Sequence, residues 1–342
     1  ESPGVCPKCE REIPGHFNSN PGTWGQKRVP IDISNFTSSC NNINLKRNQK
    51  DNLNSYMNNH NKKTCEIVKK TIREPAVAGS FYSENTKSLN ETLSNLFSAS
   101  LPKAEAGNPK ALIVPHAGYI YSGQIAANAF SNWINEKNLI ENVVIIGPSH
   151  RVLFDGIAIP NKNIFKTPLG EVSLKNSFIK QIKNLPQVII DDEPHRQEHS
   201  IEVQIPFLQK ILGEFKILPL AVGRTSGEKV AEIIELLWGQ DNTRFVISSD
   251  LSHYKEYNSA QKIDEHTAKA IERMDYASID SHQACGCIPI AGMLIVARRK
   301  DLNIKRISLL NSGDICKNKK NVVGYGAWSI AEKTIPNKKE IS

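Results

Sequence analysis

Short, strongly apolar runs alternate with amphipathic stretches along most of the chain, a pattern typical of βαβ units. Runs of consecutive apolar residues predict buried strands over residues 110–115, 143–147, 215–222 and 244–249. Further strands are predicted over residues 156–160, 170–174, 187–190, 304–310 and 322–332. Apolar side chains at helical spacing predict helices over residues 85–100, 122–133, 177–183, 200–212, 228–238, 259–274 and 288–299.

This alternation predicts a single α/β domain over residues 73–334, with a central, mostly parallel sheet flanked by helices. Residues 335–342 are interpreted as a tail. Residues 1–72 contain twelve asparagines and few apolar side chains. Ordering the backbone costs about 1–2 kcal/mol per residue, so this segment is predicted to be largely linker or disordered. Its Cys6 and Cys9 form a CxxC pair with the spacing of half a zinc site. A zinc site needs four ligands, and the wide separation of Cys40 and Cys65 does not favour them as the other two, so zinc binding here is left open.

The net charge of +8 is concentrated outside the predicted domain. The first 72 residues hold 11 lysines and arginines against 6 acidic residues, so the remainder is close to neutral. We therefore expect no nucleic-acid partner. We also expect no membrane span, because the longest apolar run, residues 288–297, is well short of about 18 residues. Seven dispersed cysteines indicate a reducing compartment and a cytoplasmic protein.

Histidines stand where the apolar runs end. His116 follows the first buried run, His150 follows the second, and Asp250 and His253 follow the run that ends at residue 249. Ligands of open α/β sheets bind at the carboxyl ends of the strands, and the tips of neighbouring strands, about 4.8 Å apart, can share one ion. This arrangement favours a metal site. The structural alternative is that each histidine only hydrogen-bonds a loop carbonyl, and that Asp250 forms an Asx turn.

Further candidates accompany these histidines. Asp250 is predicted to accept the N–H of His253, which would fix the tautomer of a ligand or a general base. His199 is predicted at a helix N-terminus, where the helix dipole lowers the pKa of a histidine. His195 is predicted to be a surface residue, and Glu202 to do no more than stabilise the first turn of that helix.

A cysteine pair precedes the most apolar predicted helix. Cys285 and Cys287 lie at its N-terminus, where the pKa of a thiol is expected to be lowered, so that the thiolate binds a metal or reacts. The two sulfur atoms are not expected to bind the same ion, because the side chains of residues two apart diverge on a helix. The alternative is a pair of small buried apolar side chains.

Ordered motifs connect these candidates to a known family. The segments REPAVAGSFY, VPHAGYIYSG, IIGPSH, TPLGEV, EHSIEVQIPFL, SSDLSHY, ACGCIPI and NSGD…VVGYGAW occur in this order. Over residues 73–334 the chain resembles the MEMO family, whose prokaryotic members are called AmmeMemoRadiSam system protein B. The resemblance implies a fold similar to that of class III extradiol ring-cleaving dioxygenases, which are non-haem iron(II) proteins.

The resemblance also implies a site. Its metal ligands would be His116, His150 and Cys285, while Asp250, His253 and His199 would line the same pocket as catalytic residues, with His253 moving protons. Cys287 departs from the family pattern, so no role is carried over to it. The dioxygenases have a carboxylate as third ligand, whereas sulfur ligation admits copper or zinc as readily as iron.

The predicted function is that of a metal-binding protein that is redox-active through iron(II) or copper and has a dioxygenase-like pocket. The sequence does not identify its substrate. Whether it is an enzyme is left open. A peptide-binding or signalling module without turnover and a zinc-dependent hydrolase are the alternatives. The expected ligand is a small molecule or a peptide. The resemblance further implies a functional link to a radical-SAM protein and to an AMMECR1-like protein. Residues 6–17 of this chain resemble the cysteine-rich tail of that radical-SAM protein.

Overall fold

The computed structural model describes residues 70–100, 108–240, 242–316 and 318–333. The predicted tail and the predicted linker with its Cys6–Cys9 pair lie outside these residues, apart from residues 70–72 at the end of the linker. Within the described residues no helix combines the length and the apolar character needed to cross a membrane.

The described residues form twelve strands and nine α-helices. The strands are β1 (Ile72–Arg73), β2 (Ala111–Val114), β3 (Asn142–Pro148), β4 (Ile157–Ile159), β5 (Ile164–Thr167), β6 (Gly170–Ser173), β7 (Val188–Ile190), β8 (Lys216–Val222), β9 (Thr243–Ser248), β10 (His253–Lys255), β11 (Asn303–Asn311) and β12 (Val322–Ala331). The helices are α1 (Thr86–Ser98), α2 (Tyr119–Phe130), α3 (Asn176–Ile182), α4 (Glu193–Arg196), α5 (Ile205–Ile211), α6 (Gly227–Trp238), α7 (Tyr257–Glu272), α8 (Cys287–Arg299) and α9 (Ser312–Ile315).

Nine of these strands form one sheet, in the order β10-β12-β2-β9-β3-β8-β4-β7, with β11 also paired to β12. The four central strands β2, β9, β3 and β8 run parallel to one another. Antiparallel strands extend the sheet on both sides, since β12 pairs with β2 and β4 pairs with β8 in this sense. The predicted α/β class with a large sheet flanked by helices is confirmed, and the parallel pairing lies at its centre.

Helices cover both faces of the central strands, which is why each of these strands contains a run of consecutive apolar residues. Successive residues of β2 point to opposite faces: Ala111 and Ile113 pack with α6 and α8, whereas Leu112 and Val114 pack with α1, α2 and α5. Every residue of β2, β3 and β9 is buried. The sheet edge at the ends of these strands is thereby held between two packed layers.

Two predicted helix starts are wrong. The helix expected from Ser122 begins at Tyr119, with Gly118 as its N-cap, and the Ser122 hydroxyl lies inside the helix, where it donates to the carbonyl of Ala117 at 3.0 Å. The helix expected over residues 200–212 consists of a short 3-10 turn, Glu202–Gln204, followed by α5. Buried hydrogen bonds of the preceding loop, described below, delay the start of this helix.

Candidate metal centre

The candidate site lies where three parallel strands end. His116 follows β2, His150 follows β3, and Asp250 follows β9. The expectation from strand spacing assumed that β2 and β3 are neighbours. In the structure they are not, because β9 runs between them. Cys285 enters from a different part of the fold, two residues before α8. The side chains of His116 and His150 therefore approach each other across the end of β9, over two strand spacings.

The structure brings His116, His150 and Cys285 together. One ligand atom from each lies within 4.8 Å of the other two. The Nε2 atom of His116 lies 3.2 Å from the Sγ atom of Cys285, and the rings of His116 and His150 are 5.2 Å apart. His116 is buried, Cys285 is half-buried, and the side chain of His150 is 28% exposed. The cluster is thus open to solvent on the His150 side, and that it binds a metal stays a prediction.

Hydrogen bonds fix the tautomer of His116. The hydroxyl of Ser248 donates its proton to the carbonyl of Ser200 at 2.6 Å and accepts from the side-chain amide of Gln204 at 2.9 Å. Because this proton is already used, the Nδ1 atom of His116, 2.9 Å from the same oxygen, must carry a hydrogen and donate it. Burial and the neighbouring His150 and His199 hold the pKa of His116 well below its usual value. The neutral ring then presents the lone pair of Nε2 to Cys285.

Glu198 fixes His150 in the same way, and the sequence interpretation does not include this residue. Its Oε1 atom accepts from Nδ1 of His150 at 3.0 Å, and its Oε2 atom accepts from the backbone N–H of His150 at 2.5 Å. Oε1 also accepts the backbone N–H groups of His199 and Ser200, each at 2.8 Å. A carboxylate that orients a metal-binding histidine is the usual partner of such a ligand. The signal in the sequence is a glutamate directly before His199.

The carboxylate of Glu198 is occupied by donors and is 1% exposed. Burial raises its pKa, but hydrogen bonds from His150 and His199 and their charges hold the pKa of Glu198 well below its usual range. It also belongs to a second group with ligand-like spacing, formed with His150 and His199. Because both oxygens of Glu198 already accept hydrogen bonds, we interpret it as the residue that positions His150 and not as a ligand.

His199 lies beside the cluster, but not at a helix N-terminus as predicted. It precedes the short turn Glu202–Gln204 by three residues. Its ring stacks on that of His150 at 4.7 Å and contacts Phe81, also at 4.7 Å. The ring of His116 is 5.3 Å away. His199 is therefore part of the pocket wall formed by the three imidazoles.

Asp250 and His253 occupy the loop after β9. The Oδ1 atom of Asp250 accepts the backbone N–H of His116 at 2.7 Å, and burial raises the pKa of this carboxyl group. The predicted hydrogen bond from His253 to Asp250 is not among the described contacts. His253 is half-buried at the first position of β10, and its charge acts on both Asp250 and His116. Asp250 thus orients the His116 backbone, and an acid/base role of His253 stays a prediction.

The prediction of a lowered thiol pKa at Cys285 is wrong. α8 begins at Cys287, so Cys285 precedes the helix instead of capping it. Burial and the nearby Asp250 raise the pKa of the Cys285 thiol well above its usual value. Cys287 packs against the hydrophobic core, and burial raises its pKa as well. Without a bound cation Cys285 is a protonated thiol, which can share its hydrogen with Nε2 of His116.

Two glycines allow the loops to meet. A side-chain carbon at Gly147 would lie 2.6 Å from Oγ of Ser200, the hydroxyl that donates to the carbonyl of Pro148 at 2.8 Å. A side-chain carbon at Gly286 would lie 2.7 Å from Cβ of Ser249. The backbone N–H of Gly286 donates to Oγ of Ser249 at 2.9 Å, which fixes the loop that carries Cys285. The GPSH and ACG motifs thus need glycine for close backbone approach.

A buried ion pair supports the loop of Glu198 from behind. The guanidinium of Arg73 binds the carboxylate of Glu202, and its other nitrogens donate to the carbonyls of His195 at 3.0 Å and Glu198 at 2.7 Å. The role expected for Glu202, stabilising a helical turn, is therefore incomplete. The segment that begins with REPAVAGSFY is fixed to the site loop through this pair.

His195, predicted to be a surface residue, is buried. Its Nε2 atom lies 2.9 Å from the carbonyl of Ala158 and donates to it, and burial lowers the pKa of His195 to about 4. The sequence could not show this burial, because it follows from the contact between α4 and β4.

The pH dependence of stability should report this burial. A histidine is protonated near pH 6.5 in the unfolded chain and near pH 4 in the fold, so acid favours unfolding between these values. We expect this group alone to lower the free energy of unfolding by about 2 kcal/mol from pH 7 to pH 5. In His195→Gln, urea unfolding at a series of pH values should show a smaller loss of the free energy of unfolding between pH 7 and pH 5. The loss that remains includes the contribution of the buried His116. The exposed His266→Gln is the control, and equal losses in both variants would contradict the assignment.

Sequence comparison connects this geometry to known proteins. The model of the family described as Memo-like protein matches residues 73–329. MEMO1 family proteins of Sulfolobus acidocaldarius and Aquifex aeolicus are each 34% identical to the chain, over 277 and 269 residues. Each alignment covers 74% of this chain and 97% of the relative. The family has the extradiol-dioxygenase-like fold, in agreement with the α/β domain described above. The extent of the match and the identity over it show that this chain belongs to the Memo-like family.

Proposed function

We propose that this protein binds a redox-active metal ion, iron(II) or copper, through His116, His150 and Cys285. The observation that carries the proposal is the convergence of these three ligand atoms within 4.8 Å. It is supported by the Nδ1 hydrogen bonds of both histidines, which leave each Nε2 atom as the free ligand nitrogen.

The donor set fits such an ion. Two imidazoles and a sulfur suit iron, copper or zinc, whereas magnesium and calcium prefer oxygen ligands. The carboxylates nearest the cluster already accept hydrogen bonds, since Glu198 holds the His150 loop and Oδ1 of Asp250 holds the backbone of His116. Cys285 is therefore the third ligand in this proposal, in place of the carboxylate that the dioxygenases use.

A bound iron or copper ion would supply one-electron chemistry at the open side of the cluster. The chain itself positions the ligands through Ser248 and Glu198. His253 lies where its charge acts on His116 and Asp250, and we assign to it the movement of protons. The ring of His199 against His150 keeps water from one face of that ligand.

Metal analysis tests the ligand assignment. After anaerobic purification, wild-type protein should contain a metal ion, and His116→Ala, His150→Ala and Cys285→Ala should each lose most of it, because two remaining ligands hold an ion weakly. Cys287→Ala and His266→Ala are the matched controls, since they remove the same residue types outside the cluster. Undiminished metal in all three ligand variants would overturn the proposal.

Visible spectroscopy then separates the metals. After exposure to air, copper(II) or iron(III) bound to a thiolate is coloured, whereas zinc is spectroscopically silent. Oxygen uptake against a panel of catechols tests turnover. A colourless protein that contains zinc would support the hydrolase alternative, in which zinc lowers the pKa of bound water to about 7. Peptide binding that persists after chelation would support the interaction module.

A further inference from the structure

Tyr254, the residue after His253, lies in an unfavourable backbone conformation. Its φ is +55°, in the left-handed region that bulky side chains rarely adopt. In the antiparallel pair of β10 and β12, His253 lies opposite Val323 and Lys255 lies opposite Val322. Tyr254 is therefore the extra residue of a β-bulge, a feature that changes the direction of neighbouring side chains and is frequent beside active sites.

Helix termination does not account for this conformation. Among the described residues, two other non-glycine residues have positive φ, Met274 at +56° and Asp301 at +51°. Met274 directly follows Arg273, the C-cap of α7, and Asp301 directly follows Lys300, the C-cap of α8. A residue in the left-handed region commonly ends a helix at this position. Tyr254 lies in a strand, where glycine would adopt the same φ without strain.

Packing does not account for it either. The side chain of Tyr254 is 75% exposed, and its ring contacts the ring of His253 at 5.9 Å with an interplanar angle of 62°. Ile120 and Leu153, which are 61% and 88% exposed, follow His116 and His150 by four and three residues. Large side chains thus stand exposed shortly after each of the three strand ends at the site: Ile120 in the first turn of α2, Leu153 in the loop after β3, and Tyr254 in β10.

We propose that Tyr254 is a ligand-contacting residue, whose ring packs against a flat apolar part of a ligand bound at the His116–His150–Cys285 cluster. The proposal rests on the proposed metal function. The bulge places an aromatic ring against His253 at the solvent side, and exposed aliphatic side chains follow the other two site histidines. The favoured ligand is a molecule with a polar, metal-binding end and a planar apolar end.

Two probes that differ only in the apolar end test this inference. Protein loaded with Co(II), whose thiolate complexes are visible, is titrated with imidazole and with 4-phenylimidazole. An aromatic contact of ordinary strength should make the second probe bind about three- to tenfold more tightly. In Tyr254→Gly this preference should disappear, while Co(II) content, imidazole affinity and melting temperature stay the same or rise. Tyr254→Phe should keep the preference.

Asp301→Gly is the matched control, because it also replaces a residue of positive φ by glycine but lies after α8. It should leave the preference unchanged. A preference that persists in Tyr254→Gly would overturn the inference and leave the metal function standing. Loss of the preference in Tyr254→Phe, or a lower melting temperature of Tyr254→Gly, would also overturn it, since the role would then belong to the hydroxyl or to the fold. Failure of wild-type protein to bind Co(II) would overturn both proposals.

Discussion

Replacing Glu202 by alanine is expected to lower the free energy of unfolding by about 3–5 kcal/mol, because the variant leaves a buried charge without its partner. The carboxylate of Glu202 binds the guanidinium of Arg73, accepts the hydroxyl of Tyr82 at 2.5 Å, and accepts the backbone N–H groups of Ala76 and Val77 at 2.8 and 3.1 Å. All of these donors would lose an acceptor at once. Urea unfolding followed by circular dichroism measures the loss.

An exposed pair provides the control. Glu193 binds Arg196 on the surface of α4, and pairs of this kind contribute about 0–1 kcal/mol. Glu193→Ala should therefore change the free energy of unfolding by less than about 1 kcal/mol. If Glu202→Ala were as mild as Glu193→Ala, the buried pair would not be the link that fixes residues 73–82 to the site loop.

Glu198→Ala is expected to weaken metal binding by about 10–100-fold, the usual effect of removing a carboxylate that orients a ligand histidine. The free energy of unfolding should fall by about 2–4 kcal/mol as well, since a single unsatisfied buried donor already costs about 1–3 kcal/mol. The affected donors are the backbone N–H groups of His150, His199 and Ser200 and Nδ1 of His150. Competition with a chromophoric chelator measures the affinity.

Glu198→Gln separates orientation from stability. The glutamine keeps one acceptor oxygen but turns an N–H₂ group toward donors, so His150 should lose its fixed orientation while part of the stability returns. Glu193→Ala, on the helix just before this loop, should leave metal affinity unchanged. Equal affinity of Glu198→Ala and wild type would show that His150 reaches the metal without this carboxylate.

The central strands are predictable because each contains a run of consecutive apolar residues. The bounds of β2, β3, β8 and β9 lie within one residue of the predicted runs. β5 escapes prediction, since Ile164–Thr167 offers only two apolar side chains and becomes a strand by pairing with β1 and β6. Contacts between distant segments decide such elements, and no local pattern records them.

The candidate site is predictable to the same degree. Strand ends and ordered motifs indicate His116, His150 and Cys285, and the structure places them together. The residues that orient them are not predictable from position alone. Glu198 and His195 stand three residues apart in a polar stretch, and only the path of the loop decides that both are buried. The direction of the Cys285 pKa likewise depends on burial, which outweighs the nearby helix.

The separation of the three proposed ligands along the chain makes the metal site depend on the tertiary fold. The strands that carry His116 and His150 are held at their distance by β9, which is made of later residues. Cys285 arrives with the loop before α8, in the last quarter of the chain. The complete set of three ligands therefore exists only in a domain whose late segments have packed against the earlier strands. The fraction of molecules that carry metal would then count those in which the loop before α8 has docked.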